Sequence, residues 1–390
     1  MINYKILFFL AIAVMASALG QGLVVPLLPV FAQSLGAGGF AIGLIFGAFS
    51  VSRTLLLPYF GRLSDRKGRK VFIITGLFFY FLTSIAFVYS DTITSLVVTR
   101  FLQGIAAAMI LPVTQAYAAE ISPEGREGFV MGIINFGFYV GLSIGPILGG
   151  FIKDNYGIGT SFAGMGVVCL AGFLLCLIFL PPRKQEKLLT SKSEPENLRV
   201  LLKDRTILAL FLTRFAQIIC VGTLWTFVPL LADQQYQMSS SSIGIVITLI
   251  VGLSAAIMPA TSILADRMDK RLLVLAGGLI IVVAMAILVF IDRLWAVYAT
   301  AALAGIGGGI SGPATMGMAA VMGKKHHSLG SIMSLLTLGH SLGMFLGPMM
   351  TGAMIDFLGI KAGFAMSGVI LLMVSIIFFP LCYRYQEAHS

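Results

Sequence analysis

The chain has 390 residues, 58% of them hydrophobic and only 11% charged. Soluble domains carry about 25% charged residues, and a chain this apolar cannot cover its surface in water, so a soluble enzyme or binding module is excluded. The net charge of +10 then needs no nucleic-acid partner, because in a membrane protein loop charge reports which side the loops face.

Twelve apolar segments follow in chain order, near 6–31, 41–61, 71–90, 93–119, 127–152, 160–181, 206–232, 241–265, 271–291, 294–322, 328–355 and 361–383. Each reaches the ~20 residues that a helix needs to cross the hydrocarbon. Lipid offers no partner to backbone N–H and C=O groups, so the segments must be helical. The alternation of a barrel strand is absent. The first segment begins like a secretory signal, "MINYKILFFLAIAVMASALG", with Ala-Ser-Ala at 16–18. Its apolar character continues to Phe31, and it is read as the first span. The expected fold is an all-α membrane protein of two six-helix bundles, 1–180 and 206–390, joined by a cytoplasmic linker at 181–205. That linker, "PPRKQEKLLTSKSEPENLRVLLKDR", is expected to be flexible and to lie on the inner surface. A short amphipathic helix near 197–204 is compatible with its pattern. Cys169, Cys176, Cys220 and Cys382 show neither disulfide nor metal spacing and read as inert thiols. No metal or cofactor is implied.

Lys and Arg in the breaks orient the chain. With both termini cytoplasmic, the inner segments hold twenty and the outer segments three, Lys153, Arg293 and Lys361. The densest inner break is "GRLSDRKGRK" (61–70), with five Lys/Arg and one Asp.

The halves repeat. Asp65 in that break aligns with Asp266 in "LADRMDKR", 201 residues on, as do Ile42 and Gly43 with Ile243 and Gly244, Pro58 with Pro259, and Pro112 with Pro313. "GPILGGFIKDNYGI" (145–158) aligns with "GPMMTGAMIDFLGI" (347–360) at an offset of 202. Parallel six-helix repeats place a substrate site near the midplane.

With these motifs the chain resembles a transporter of the major facilitator superfamily, in its twelve-helix drug/proton antiporter branch. "GRLSDRKGRK" resembles that family's loop between helices two and three. "RFLQGIAAA" (100–108) resembles its helix-four motif, and "GLSIGPILGG" (141–150) its helix-five motif. The resemblance implies that Asp65 faces the start of helix eleven and that Arg69 pairs with the acid ending helix four, here Glu120. Together they would latch the cytoplasmic side. Gly61 and Gly68 are expected to permit a tight turn there. In the second copy Ser262 and Asp269 replace these glycines, so a latch around Asp266 is expected to be weaker. Gly141, Gly145 and Gly149 share one helix face, and Pro146 bends the helix. The face reads first as packing, and also as a hinge-like contact with helix eight or another helix of the second half.

Arg53, Arg100 and Arg214 lie inside spans, and His340 is mid-span in the eleventh. Burying an arginine near the bilayer centre costs at least ~2.5 kcal/mol, so each either faces a wet cavity or is held by backbone carbonyls. No Asp or Glu lies mid-span. Protonation could therefore use His340, whose unperturbed pKa is about 6.5, or Glu120, unless an anionic substrate brings its own protons. Gln21, Gln103, Gln115, Asn135, Tyr139, Gln217, Trp225 and Met316 are further cavity candidates, with Gln21, Asn135 and Gln217 preferred because their amides need partners at depth.

The expected function is export of small amphiphilic compounds by alternating access in exchange for protons. The alternative is export of an organic or lipid-like anion held by the arginines. The chain carries no nucleophile–base cluster or nucleotide loop, so it is read as no enzyme. It is read as a monomer in a bacterial inner or plasma membrane.

Overall fold

A computed structural model describes residues 4–123, 125–181, 201–326 and 328–382. Most of the expected linker and the terminal Arg384 lie outside these residues. The described residues form helices α1 (Tyr4–Val24), α2 (Leu28–Ser34), α3 (Gly39–Lys67), α4 (Arg69–Val88), α5 (Ile93–Ile121), α6 (Glu127–Tyr156), α7 (Ile158–Phe179), α8 (Arg205–Tyr236), α9 (Ser240–Arg267), α10 (Lys270–Phe290), α11 (Leu294–Lys325), α12 (Leu329–Leu358) and α13 (Ile360–Leu381). They include no strand. Twelve helical segments are long and apolar enough to cross a membrane. Span 1 comprises α1 and α2, and spans 2 to 12 are α3 to α13.

Two local differences from the sequence reading have physical causes. Span 1 is interrupted between Val24 and Leu28, where Pro26 and Pro29 withdraw two backbone donors. Span 2 runs unbroken through Gly61 to Lys67. Only Gly68, at φ +92°, makes the turn into span 3. Gly61 is therefore a helix-interior residue with open space where a Cβ would go.

The described residues fall into two compact units. Unit 1 draws on Met1–Ala37, Leu44–Leu189 and Pro229–Thr248, and unit 2 on Gly38–Gly43, Thr190–Val228 and Leu249–Ser390. The chain therefore passes from unit 2 into unit 1 within span 2. It passes from unit 2 into unit 1 again within span 7, between Val228 and Pro229, and back into unit 2 within span 8.

In unit 1 the glycine face of span 5 lies on span 1. A Cβ on Gly137 would sit 3.0 Å from the Ala11 carbonyl oxygen, and one on Gly145 2.7 Å from that of Leu19. Gly141 and Gly149 meet the carbonyls of Met15 and Leu23 in the same way. Each rung is four residues from the next on both helices, so the two backbones touch along one ridge. Without a hydrophobic drive between helices in lipid, such close approach supplies the packing attraction. Gly150, off this face, abuts the Ser240 carbonyl at the start of span 8. The glycine run therefore packs on helix one, and its neighbour Gly150 reaches helix eight.

Unit 2 repeats the ladder. Cβ atoms on Gly339, Gly343 and Gly347 would lie 3.3, 2.8 and 3.1 Å from the carbonyl oxygens of Phe211, Phe215 and Ile219. The fourth rung is a hydroxyl pair, Thr223 with Thr351 at 2.7 Å, and Ser367 joins both at 2.9 and 3.1 Å. Three buried hydroxyls satisfy one another there, where unit 1 uses bare backbone.

Candidate functional site

The charged break after span 2 is built around Arg69, the first residue of span 3. Its Nε donates to Glu120 Oε1 at 2.6 Å, and its Nη2 lies 2.6 Å from the same oxygen. Nη2 is also 2.8 Å from Asp65 Oδ1, one turn back on span 2. Nη1 reaches Ser64 Oγ at 3.5 Å. The guanidinium is 12% exposed and Asp65 53% exposed. One arginine thus ties the ends of spans 2, 3 and 4 within unit 1. Lys70 donates to the Leu177 carbonyl at 2.7 Å and adds span 6.

The second copy uses the same charges differently. Asp269 caps span 9, accepting from the Arg271 backbone N–H at 2.9 Å. Arg271 Nη2 returns to Asp269 Oδ2 at 2.6 Å, and its Nη1 donates to the Cys382 carbonyl at 3.3 Å. Hydrogen bonds from Arg271 are the largest cause holding the Asp269 carboxyl below its ordinary range. Asp266 is exposed at the end of span 8.

At depth in unit 1, Arg100 is 2% exposed. Its Nη1 donates to Gln103 Oε1 at 2.7 Å, and its guanidinium lies 5.1 Å from the Phe46 ring centre and 4.7 Å from that of Phe49. Two ring faces and an amide stand where a carboxylate would be expected. Gln103 passes the contact on to Met165 Sδ at 3.6 Å. Arg53 on span 2 is half-buried, and Tyr80 on span 3 is fully buried. Gln21 is half-buried on span 1. Asn135 is exposed and accepts from Gln115 Nε2 at 3.2 Å. Tyr139 is half-buried.

In unit 2, Arg214 Nη2 lies 3.1 Å from His340 Nδ1, joining spans 7 and 11 at mid-depth. Gln217, one turn on from Arg214, is 3% exposed and its Nε2 has no hydrogen-bond partner among the described residues. Trp225 is half-buried, its Nε1 likewise without a partner, and Met316 is exposed. The polar candidates therefore form separate groups. Arg100 and Gln103 pair in unit 1, and Arg214 and His340 pair in unit 2.

Sequence reasoning missed two carboxylates at the opposite ends of the spans. Asp154, ending span 5, accepts from the backbone N–H groups of Ser240 at 3.0 Å and Ser241 at 2.8 Å, and from Ser241 Oγ at 2.6 Å. Asp356, ending span 11, accepts from Gly39 N–H at 2.6 Å and Phe40 N–H at 2.8 Å. The signal was present, because both lie in the aligned "GPILGGFIKDNYGI" and "GPMMTGAMIDFLGI" stretches.

The family model of the Major Facilitator Superfamily matches residues 10–234 and 210–389. The chain belongs to the major facilitator superfamily. Among relatives of this superfamily member, an uncharacterized MFS-type transporter of Methanocaldococcus jannaschii is 30% identical over 377 residues, covering 96% of this chain and 97% of that protein. The quinolone resistance protein NorA of Staphylococcus aureus is 27% identical over 387 residues, covering 95% and 96%. Among solved structures, a bacterial homolog of the human lysosomal transporter Spinster superposes with a TM-score of 0.82 at 15% identity, over 99% of this chain and 98% of that one. The human organic anion transporter MFSD10 gives 0.67 at 19%, over 96% and 99%. The protein is thus a multi-pass integral membrane transporter, all-helical with twelve membrane-length spans.

Proposed function

We propose that the protein exports small amphiphilic compounds by alternating access, in exchange for protons, with both termini cytoplasmic and the Arg69 break on the inner side. The observation that carries this is the match with the quinolone resistance protein over 95% of the chain, which spans both repeats. Arg69, Asp65 and Glu120 act as the inner latch in this reading. His340 is the proton-exchanging group. When its Nδ1 lone pair accepts from Arg214, that nitrogen carries no proton. Protonation removes the lone pair and sets two positive charges side by side, so the proton and the pairing exclude each other. A group that must leave its partner to take a proton links protonation to movement of spans 7 and 11. The aromatic and methionine side chains at depth suit varied apolar ligands.

A second reading, export of an organic anion, is favoured by the charge balance at depth. Arg53, Arg100 and Arg214 have no Asp or Glu at their level of the spans, and an anion would offset their desolvation.

One experiment separates the two. In inside-out vesicles carrying the overproduced protein, uptake of a cationic and of an anionic dye is followed with an imposed interior-acid gradient. Gradient-dependent uptake of the cation, abolished by His340→Ala, supports the first reading. Uptake of the anion alone, lost in Arg53→Gln/Arg214→Gln, supports the second. Uptake of neither dye above that of empty-vector vesicles contradicts both.

A further inference from the structure

Of the three arginines inside the spans, two are engaged by neighbours in their own unit. Arg100 is held by Gln103 and by the rings of Phe46 and Phe49, and Arg214 pairs with His340. Arg53 differs. It is half-buried, and no described residue gives it a hydrogen bond or an ion pair. It lies at the middle of span 2, fourteen residues from Gly39 and fourteen from Lys67. At 1.5 Å per residue each end of the helix is about 21 Å away. An arginine near a helix end can carry its charge out to the interface, but from the middle the side chain is too short.

The face that carries Arg53 belongs to the interior of unit 1. Helical geometry places Phe46, Phe49, Ser50 and Arg53 on one side of span 2, and Leu55 and Tyr59, both exposed, on the opposite side. Phe46 and Phe49 meet Arg100 of span 4, and Gly104 of span 4 abuts the Phe49 carbonyl. Arg53 continues that face one turn further on. Ser50 stands one turn before it and is 7% exposed. The hydroxyls of Ser52 and Ser64, on the same helix, donate to carbonyls three residues back. That of Ser50 donates to no described residue. A buried hydroxyl without an acceptor and a mid-membrane charge without a counter-charge are both costly. One anionic group placed beside them offsets both, and no Asp or Glu of the chain lies mid-span to supply it.

We infer that Ser50 and Arg53 form an anion-binding point within unit 1, and that it takes a carboxylate carried by a small amphiphile, whether that amphiphile is an anion or a zwitterion. The planar guanidinium fork matches the two carboxylate oxygens. Ser50, whose Cβ stands about 5–6 Å from that of Arg53 at this spacing, adds a third donor from the same face. Arg100 does not share the grip, because two rings and an amide already cover it. This deepens the organic-anion reading above and rests on it for a role in transport, but not for binding.

The test is equilibrium binding of dansylglycine and dansylglycinamide to the purified full-length chain, followed by dansyl fluorescence. The two probes differ only in a carboxylate against its amide. The wild type is expected to bind dansylglycine at least tenfold more tightly than the amide. Arg53→Gln keeps hydrogen-bonding capacity but removes the charge, and should abolish that preference while leaving the Kd of the amide unchanged. Arg53→Lys should keep a reduced preference, and Ser50→Ala should lower it about threefold. Equal Kd values for the two probes in the wild type, binding of neither, or a preference that survives Arg53→Gln overturns the proposal. If Arg53→Gln does not fold by size-exclusion chromatography, an unchanged preference in both Arg53→Lys and Ser50→Ala overturns it instead. Preferential binding by a chain that moves no anion into vesicles supports the site and rejects anion export. Anion uptake undiminished by Arg53→Gln rejects the site and leaves anion export standing, so the two fail separately.

Discussion

The two ends of the repeat have aged differently. At the ends capped by Asp154 and Asp356, both copies keep the aspartate and its two backbone N–H donors, and the Asp154 copy adds the Ser241 hydroxyl. At the charged breaks the copies have parted. Arg69 gathers Asp65 and Glu120 from two neighbouring helices, whereas Arg271 folds back onto Asp269, two residues away. Each helix start carries orphan N–H groups that need an acceptor in either copy, so the capping aspartate is kept in both. A device built on one arginine needs only one good copy, and the other is free to become a local staple. The difference teaches that repeat symmetry in this chain is kept where the acceptor serves the backbone and is lost where side chain pairs with side chain.

The largest expected effect breaks the matched end. Gly150→Val and Gly352→Val each force a side chain into a backbone carbonyl. Overpacking of this kind typically costs about 1–3 kcal/mol, and here the neighbour is backbone and cannot rotate away. Both variants should lose most folded yield by size-exclusion chromatography, and by similar amounts. A severe loss in one with none in the other would break the symmetry of the matched end.

Next comes the unmatched end. Glu120→Ala leaves the Arg69 guanidinium nearly buried beside only the exposed Asp65, which is worse than losing both partners. Arg69→Ala and Glu120→Ala should each cut transport at least tenfold. The double variant should be far less impaired than the product of the two, with a coupling of about 1–3 kcal/mol. Additive losses in the cycle would mean that the 2.6 Å contact does not matter to transport. Asp65→Asn should also slow transport while expression stays near wild type.

Asp269→Ala sharpens the comparison, since it removes a cap and a local ion pair without touching a neighbouring break. It should lower stability by about 1 kcal/mol and leave the transport rate nearly unchanged. The carboxyl is held below its ordinary range chiefly by hydrogen bonds from Arg271. Its contribution is therefore complete above the unfolded aspartate pKa of about 3.9 and is lost as pH falls through the lower folded value. The Tm difference between wild type and variant should accordingly persist from neutral pH to mild acid and close only in stronger acid. A constant difference at all pH values would remove the carboxylate from the explanation.

The smallest effect concerns the two glycines of "GRLSDRKGRK". Gly61→Ala should be neutral or stabilise by up to about 1 kcal/mol, as a helix-interior replacement in open space. Gly68→Ala should destabilise by about 1 kcal/mol, because its φ of +92° is strained for any L side chain. Thermal unfolding of the two variants reads this contrast, and equal shifts would contradict it.

These cases also show what was legible in advance. The spans and their repeat were readable because lipid leaves the backbone no alternative to helix, and because prolines and glycines recur at one offset. The break in span 1 was not, since apolar residues continue across Pro26 and Pro29 and hydropathy does not register a missing donor. Gly61 was misread because a glycine beside a charged break is compatible with a turn or with a helix interior, and only the turn chemistry of Gly68 decides. The Arg69–Glu120 contact spans 51 residues and came only through the resemblance. Asp154 and Asp356 align in the repeat but were not singled out, because their partners lie 86 and 317 residues away and are backbone amides that no side-chain pattern announces.

The central claim is coupled exchange of an amphiphile for protons. Its most direct measurement is proton movement itself in proteoliposomes containing the purified protein and an interior pH dye. With an imposed interior-acid gradient, adding a transported cationic amphiphile outside should alkalinise the lumen in step with its uptake. The response should be lost in His340→Ala and slowed in Asp65→Asn. Uptake of the amphiphile with no accompanying change in lumenal pH would contradict the account.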